Sequence, residues 1–233
     1  VSETAVITGA NRGFGLELAR ALDERGVRVI AGCRNPAAAS DLAEVASAVF
    51  ELDVGDEASI DGFVDTVRRE LDGAPLDMLV NNAGIDARNL GATDDERDVL
   101  VQRPEHVLSQ VNVNAVGPML LSRKLLDDLR RSPQPRIVNV SSQVGSMEVA
   151  ATVGRDVGYT VSKAALNMVT VKLAQRLTDD GVTVIALHPG HLRTAMGGAA
   201  APMEPAEAAG SVASLIAGLT PADSGTFRRW DGS

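Results

Sequence analysis

Short apolar runs alternate with longer amphipathic segments along most of the chain. Six runs of five or six residues, rich in aliphatic side chains, are typical of buried strands: 4–8, 27–32, 48–52, 76–80, 136–140 and 182–187. Between them, apolar residues recur three or four positions apart, as on one face of a helix. We predict helices over 16–25, from Glu57, over 104–131, from 157 to about 180, and over 204–219, with a short edge strand over 225–230.

This alternation of strands with helices predicts the α/β fold class. We expect a Rossmann fold, in which a doubly wound parallel sheet of six to seven strands carries helices on both faces. The 233 residues contain no linker, repeat or low-complexity segment, so a single domain over 1–233 is expected. Only 3% of the residues are aromatic, and the core must therefore be built from aliphatic side chains, as buried parallel sheets are.

Composition narrows the range of functions. The net charge of −9 disfavours nucleic-acid binding, because phosphate backbones attract cationic surfaces. No apolar run approaches the ~18 residues of a membrane span, and no signal peptide precedes the first strand, so we expect a cytoplasmic protein without membrane contact. The one cysteine, Cys33, cannot form an intrachain disulfide and is interpreted as a packing residue. The three histidines lack metal-ligand spacing, so no metal is expected.

A glycine-rich turn lies between the first strand and the first helix. Glycines at positions 9, 13 and 15 follow Thr8, in the spacing Thr-Gly-x-x-x-Gly-x-Gly. Such a turn brings the backbone close to a pyrophosphate, and the N-terminus of the next helix offers free N–H groups. The strand, turn and helix therefore predict a dinucleotide site, although the glycines could also serve only to turn the chain.

The residue that ends the second strand bears on the choice of cofactor. In dinucleotide folds an acidic residue at this point holds a ribose 2′-hydroxyl, whereas an arginine accommodates a 2′-phosphate. Arg34 stands here, with Arg12 in the glycine turn as a second cation, which favours NADP(H) over NAD unless both are merely solvated. Asp53, after the third strand, could contact an adenine or cap the helix beginning near Glu57.

Small and polar residues follow the fourth and fifth strands. Asn82 could tie neighbouring loops together, and Ser142 follows the fifth strand at the edge where such sheets bind ligands. The polar stretch 85–103 is interpreted as a surface loop with one short helical piece, in which residues 94–97 form a solvated face. Within the predicted helix 104–131, Asn114 could be solvated or hold a water molecule inward, and Gly117 indicates a kink or a close neighbour.

Tyr159 and Lys163 lie four residues apart on a predicted helix, and so on one face of it. A free tyrosine has a pKa of about 10, which a nearby cation lowers. A phenol adjusted in this way can give a proton to a carbonyl oxygen or take one from an alcohol. The same spacing also occurs by chance, so the pair gains weight only from the rest of the chain.

Taken together, these features resemble the short-chain dehydrogenase/reductase family, over essentially the whole chain. The matching pieces are Thr8 to Gly15, Asn81 to Gly84, Asn114, Ser142, Tyr159 with Lys163, and Pro189-Gly190 with Thr194. Within the family, the segment HPGHLRTAMGG and the C-terminal motifs GLTPADSG and WDG are most similar to the carbonyl-reductase and C-factor-like branch.

The resemblance implies a role for each matching residue. Tyr159 would be the acid–base, Lys163 would lower its pKa and hold the nicotinamide ribose, Ser142 would hydrogen-bond the substrate oxygen, and Asn114 would position a water molecule. Asp53 would contact adenine, Thr194 would bind the carboxamide, and the arginines would contact the 2′-phosphate. The full cofactor-binding set is Gly9, Asn11, Arg12, Gly13, Phe14, Gly15, Arg34, Asp53, Val54, Asn82, Ala83, Gly84, Tyr159, Lys163, Pro189, Gly190 and Thr194.

Some positions depart from the family pattern. Seventeen positions separate Ser142 from Tyr159, more than in many members, which predicts a small insertion within 145–156 at the rim of the pocket. His191 stands where close relatives often have an aromatic residue, and Ala195 where they often have Asp. These differences leave the substrate and its stereochemistry open.

Three functions are compatible with this sequence. The first is an NADPH-dependent reductase that converts a ketone or aldehyde to an alcohol, and the second is the same chemistry run as an alcohol dehydrogenase. The third is a non-catalytic NADP(H)-binding regulatory or signalling protein, since a fold does not fix a function. The resemblance implies either a homodimer or homotetramer formed through the helices at 104–131 and 157–180, or a monomer.

Overall fold

The computed structural model describes residues 2–152 and 156–233, and its centre is a sheet of seven strands. The strands are β1 (Thr4–Thr8), β2 (Arg28–Cys33), β3 (Ala48–Glu51), β4 (Met78–Asn81), β5 (Arg136–Val140), β6 (Thr183–His188) and β7 (Phe227–Arg229). They lie in the order β3-β2-β1-β4-β5-β6-β7, and every neighbouring pair is parallel. The predicted parallel sheet of six to seven strands, with an edge strand near the C-terminus, is confirmed.

Helices cover both faces of the sheet. They are α1 (Gly13–Asp23), α2 (Ser40–Ala43), α3 (Glu57–Leu71), α4 (Pro104–Val111), α5 (Gly117–Lys124), α6 (Leu126–Leu129), α7 (Met147–Ala150), α8 (Val157–Arg176) and α9 (Pro205–Ala217). Among the described residues, no helix is both long and apolar enough to cross a bilayer.

The side chains of each strand divide between two aliphatic cores. On β1, Ala5 and Ile7 pack with α1 and α9, while Val6 between them packs with α3 and α6 on the opposite face. Every residue of β1 is buried, as expected for a central strand covered on both sides. Cys33 lies in the first of these cores and is 3% exposed, which confirms its interpretation as a packing residue.

The order of the strands creates a crevice beside β1. From β1 the chain proceeds outward to β2 and β3, then returns to pair β4 with the other side of β1. The connections that leave β1 and β4 therefore diverge at the carboxyl edge of the sheet. In open α/β sheets such a switch point is where ligands bind.

The segment 104–131, predicted as one helix, is interrupted. α4 and α5 are separated by a π-helical turn over Asn112–Val116, and α6 follows as a separate short helix. Pro118 has no N–H to donate to the carbonyl of Asn114, so the regular hydrogen-bond ladder cannot pass this point. The prediction of a continuous helix is wrong because the spacing of apolar residues does not register the missing N–H of Pro118.

The close neighbour expected at Gly117 is confirmed. A Cβ atom at this position would lie 2.3 Å from the carbonyl oxygen of Val54. Since that oxygen belongs to the backbone after β3, it cannot move aside as the end of a flexible side chain could. Gly117 therefore permits α5 to pack directly on the loop that follows β3.

Replacing Gly117 with Ala should destabilise the fold by about 1–3 kcal/mol, the typical cost of inserting a methyl group into a filled space. Gly62→Ala is the matched control, because Gly62 lies in α3 with no atom within 4 Å of the added Cβ. There the better helix former should stabilise the protein by up to ~1 kcal/mol. Urea unfolding of both variants measures this, and equal stability of Gly117→Ala and wild type would contradict the packing argument.

Candidate active site

A cleft of about 1240 Å³ opens at the carboxyl edge of the sheet. It brings together nearly all of the residues that the sequence singled out. Its lining includes Gly9, Asn11, Arg12, Gly13, Phe14, Gly15, Arg34, Asp53, Val54, Asn82, Ala83, Gly84, Ser142, Tyr159, Lys163, Pro189, Gly190 and Thr194. Asn114 is the exception, because it lies behind the wall of the cleft and is fully buried.

The glycine turn forms one end of the cleft. Gly9 has a φ of +63°, and a Cβ there would lie 2.8 Å from the Cα of Ala83, so only glycine fits this position without strain. At the start of α1, the side chain of Arg12 makes no capping hydrogen bond. The first-turn N–H groups of this helix are thus available to an anionic group in the cleft.

Asn82 ties the turn after β4 to the glycine turn, as predicted. Its side-chain amide donates hydrogen bonds to the carbonyl oxygens of Thr8, at 2.8 Å, and Gly9, at 3.0 Å. The hydroxyl oxygen of Thr8 in turn accepts the N–H groups of Asn82 and Ala83, both at 3.0 Å. Thr8, to which the sequence assigned no role, therefore helps hold the ends of β1 and β4 in register around the cleft.

Two cations and one carboxylate line the cleft after β1, β2 and β3. Arg12 and Arg34 are exposed on the cleft, and neither forms an ion pair with any residue that the structure describes. Asp53 accepts a hydrogen bond from the N–H of Gly55 at 2.8 Å, while Asp56 caps α3. The alternative in which Asp53 caps this helix is therefore wrong, and Asp53 remains on the cleft.

Tyr159, Lys163 and Ser142 meet on one side of the cleft. The Lys163 ammonium lies 5.6 Å from the centre of the Tyr159 ring and donates a 2.7 Å hydrogen bond to the carbonyl of Val140, the last residue of β5. Ser142 follows that strand, and its hydroxyl accepts the N–H of Val144. The end of β5 and the first turns of α8 thus place all three polar groups together.

Burial dominates the ionisation of this pair. It raises the pKa of Tyr159 to about 12, although hydrogen bonding to Ser142 opposes the rise, and it lowers the pKa of Lys163 to about 8. The expected lowering of the Tyr159 pKa by Lys163 is not found in the protein alone, because desolvation by burial raises this pKa more than the Ser142 hydrogen bond lowers it. Tyr159 therefore keeps its proton at neutral pH.

Asn114 connects the π-helical turn to the cleft wall and to α8. Its carboxamide oxygen accepts the N–H of Ile85, and its amide donates to the Ile85 carbonyl and to the Ser162 hydroxyl, all at 2.8 to 2.9 Å. Ser162 in turn donates to the carbonyl of Tyr159 at 2.7 Å. The solvated reading of Asn114 is wrong, because the side chain is fully buried, and its role in holding a water molecule stays a prediction.

The stretch 85–103 was predicted as a surface loop, and this prediction is only partly right. It contains two short 3₁₀ turns, Ala87–Leu90 and Asp95–Arg97, and its first residues wall the cleft. Arg97 was assigned to a solvated face, but its side chain is only 19% exposed and lies 3.5 Å from Asp156. Sequence patterns missed this because the two residues are far apart in the chain.

The remaining wall comes from the loops that follow β4 and β6. Arg88 donates to Asp86 and also to the carbonyl of Met196, joining the wall after β4 to the loop after β6. In that loop, His191 lies 2.9 Å from the carbonyl oxygen of Gly197. Of the predicted insertion 145–156, α7 is observed, while residues 153–155 lie outside the described parts of the chain.

A family model described as short chain dehydrogenase matches residues 3–205. The chain belongs to this family. Family membership makes it an oxidoreductase and confirms the resemblance found in the sequence. The Ser142, Tyr159 and Lys163 cluster and the glycine turn therefore lie in a short-chain dehydrogenase/reductase scaffold.

Individual relatives agree with this assignment. Protein FixR of Bradyrhizobium diazoefficiens is 35% identical over 193 residues, covering 82% of this chain and 67% of that protein. Human retinol dehydrogenase 5 is 36% identical over 196 residues, covering 81% of this chain but only 56% of the longer relative. The NADPH-bound carbonyl reductase from chicken fatty liver superposes with a TM-score of 0.91 at 30% identity, covering 100% of this chain and 98% of that one.

Direct titration can test the ionisation of the site, because Tyr159 is the single tyrosine of the chain. In the folded protein without ligand, phenolate absorbance should be absent at pH 10 and appear only as the pH approaches about 12. In urea-unfolded protein it should appear with a midpoint of about 10. A folded protein half-ionised at or below pH 10 would show that burial does not control this phenol.

Proposed function

We propose that the protein is an NADPH-dependent reductase that converts a ketone or aldehyde to an alcohol, reversibly, as one NADP(H)-binding domain over residues 1–233. The observation that carries the proposal is the meeting of Tyr159, Ser142 and Lys163 in the same cleft as the glycine turn. The similarity to an NADPH-bound carbonyl reductase supports the proposal. The substrate would be a small carbonyl compound that enters the cleft beside Tyr159.

The residues at the other end of the cleft fit a phosphorylated dinucleotide. At Gly9, Gly13 and Gly15 the turn has no side chain to keep a ligand from the backbone, and the start of α1 offers N–H groups for a pyrophosphate. Arg12 and Arg34 provide cations for a 2′-phosphate, and no acidic residue of the described chain already pairs with them. We assign Asp53 and Val54 to the adenine side, and Asn82, Pro189, Gly190 and Thr194 to the nicotinamide side.

When bound, NADPH supplies the hydride that reduces the carbonyl carbon. The protein must then stabilise the negative charge that develops on the substrate oxygen. The Ser142 hydroxyl is assigned to donate a hydrogen bond to that oxygen. Tyr159 gives its proton to the same oxygen. Because burial raises the pKa of Tyr159, the phenol still holds that proton at neutral pH when the charge on the substrate oxygen develops.

Lys163 takes part after the proton has left Tyr159. At pH 7 it is mostly an ammonium, since burial lowers its pKa only to about 8. Its positive charge, 5.6 Å from the Tyr159 ring, stabilises the phenolate that remains. Asn114 is assigned to hold a water molecule that returns a proton from solvent, and its hydrogen bonds to Ile85 and Ser162 fix its position.

Tyr159→Phe should lower kcat for carbonyl reduction by about 10²–10⁴-fold, the typical contribution of a positioned proton donor. The affinity for NADPH should change little, because the ring is retained. The measurement is NADPH oxidation with a panel of ketones and aldehydes, alongside NADPH binding followed by nucleotide fluorescence. A fully active variant would exclude Tyr159 as the donor.

The same panel separates the alternatives. Wild-type protein that binds NADPH but oxidises it with no carbonyl compound would favour the non-catalytic regulatory protein. Oxidation of alcohols with NADP⁺ uses the same residues in reverse and would be seen in the same preparation.

Arg34→Asp should weaken NADPH binding and improve NADH binding, because it removes a cation that is assigned to the 2′-phosphate and adds an acid that can accept a ribose hydroxyl. Arg69→Asp is the matched control: it makes the same change in net charge on the exposed face of α3. Dissociation constants for both cofactors report the outcome. If Arg34→Asp keeps the wild-type preference for NADPH over NADH, a group other than Arg34 binds the 2′-phosphate.

A further inference from the structure

Asp156 is a buried carboxylate at the N-terminus of α8, three residues before Tyr159. It is only 4% exposed. One of its oxygens accepts the backbone N–H of Tyr159 at 3.1 Å and the side-chain amide of Gln102 at 2.9 Å. The other accepts the N–H of Ala87 at 3.0 Å and lies 3.5 Å from Nε of Arg97. Both oxygens are therefore fixed by donors from three separate parts of the chain.

These contacts join the helix that carries Tyr159 to the wall of the cleft. Ala87 begins the 3₁₀ turn that walls the cleft after β4, Arg97 also lines the cleft, and Gln102 follows it in the same wall segment, residues 85–103. Gln102 adds a second link, since its carboxamide oxygen accepts the N–H of Gly158 at 2.8 Å. The wall segment and the first turn of α8 are thus fastened to each other through one carboxylate and one carboxamide.

The carboxylate is stable in its charged form. Burial alone would raise the pKa of Asp156, but hydrogen bonds from Ala87, Gln102 and Tyr159, together with the charge of Arg97, lower it overall. A negative charge at this position also interacts favourably with the N-terminus of α8. Asp156 therefore carries a full charge close to Tyr159 at neutral pH.

We propose that Asp156 is a positioning residue for the reduction, which sets Tyr159 against the cleft wall and keeps a negative charge beside its phenol. The inference rests on the proposed role of Tyr159 as proton donor. The negative charge of Asp156 disfavours loss of the Tyr159 proton before the substrate is reduced. The hydrogen bonds of its carboxylate fix the position of Tyr159, and so the place where the proton is delivered. Neither effect is available from the Tyr159, Lys163 and Ser142 cluster by itself.

Several groups act on the Tyr159 phenol in the described parts of the chain. Burial raises its pKa most, Asp86 on the wall and Asp156 on α8 raise it further, and the Ser142 hydroxyl lowers it. Lys163 lies 5.6 Å from the ring on the same helix. Across the cleft, His188 is neutral, because burial lowers its pKa to about 4. Removing the Asp156 charge should therefore lower the pKa of Tyr159.

Three variants distinguish the effect of the Asp156 charge from the effect of its capping hydrogen bond to α8. Asp156→Asn keeps an oxygen that can accept the N–H of Tyr159 but removes the charge, and Asp156→Ala removes both. Asp223→Asn is the matched control. Asp223 also accepts a backbone N–H at the start of a short turn and pairs with an arginine, Arg228. It lies just before β7, at the amino ends of the strands, whereas the cleft lies at their carboxyl ends. Thermal unfolding of each variant shows whether it folds.

Two measurements then test the inference, and one does not depend on activity. In Asp156→Asn, the phenolate absorbance of the single tyrosine should appear at a pH lower by roughly half a unit or more, while Asp223→Asn should match wild type. The high-pH fall in kcat/KM for carbonyl reduction should shift in the same direction. Because Asp156→Asn replaces the oxygen that accepts the N–H of Ala87 by an amide NH2, Tyr159 should be held less firmly and kcat should fall by about tenfold, and further in Asp156→Ala, with KM for NADPH unchanged.

Unchanged titration, pH profile and kcat in a folded Asp156→Asn variant would overturn the proposal and leave Asp156 as a helix cap only. If the Tyr159 titration shifts in Asp156→Asn but the wild-type protein reduces no carbonyl compound, the effect of the Asp156 charge on Tyr159 stands and the proposed reductase function is rejected. If Asp156→Ala does not fold, the titration, pH profile and kcat of Asp156→Asn alone decide between the positioning role and a helix cap.

Discussion

The hydrogen bond from the Lys163 ammonium to the Val140 carbonyl is the interaction on which the site depends. It is 2.7 Å long and joins the buried face of α8 to the end of β5. Because Ser142 follows Val140 by two residues and Tyr159 precedes Lys163 by one helical turn, this bond brings the hydroxyl, the phenol and the ammonium together. A buried ammonium needs such a partner, since an unpaired charge in this position would be strongly unfavourable.

Burial has opposite consequences for the two ionisable members of this group. It makes the phenol harder to ionise and the ammonium easier to neutralise, so the two pKa values, which lie close together in free side chains, move apart to about 12 for Tyr159 and about 8 for Lys163. Around them, Asp86 and Asp156 supply negative charge while Arg88 and Arg97 partly balance it. The pKa of Tyr159 is thus raised by its burial and by the charges of Asp86 and Asp156 together.

Local patterns were sufficient to predict most of the fold and much of the site. The strands are short runs of three to six residues, most of them rich in apolar side chains. The turn residues that follow them lie in the cleft because parallel strands end at one edge. The predicted lowering of the Tyr159 pKa failed because it considered one neighbour and omitted burial, which depends on the whole fold. The break at Pro118 could have been predicted from its missing N–H.

The contacts of Asp156 show what one sequence cannot supply. Its partners Ala87 and Gln102 lie 69 and 54 residues away in the chain, and no spacing rule links them. The residue did carry one local signal, since an aspartate just before a helix is a common N-cap. That signal predicts the hydrogen bond to Tyr159 but not the attachment to the cleft wall.

The central claim is that Tyr159 delivers a proton to the oxygen of a reduced carbonyl. It is tested most directly by a crystal structure of the protein with NADP⁺ and the alcohol product of a carbonyl compound that it reduces. The alcohol oxygen should lie about 2.6–3.2 Å from both the Tyr159 and the Ser142 hydroxyl oxygens. An alcohol oxygen held by other groups, with the Tyr159 hydroxyl out of hydrogen-bond range, would contradict the account.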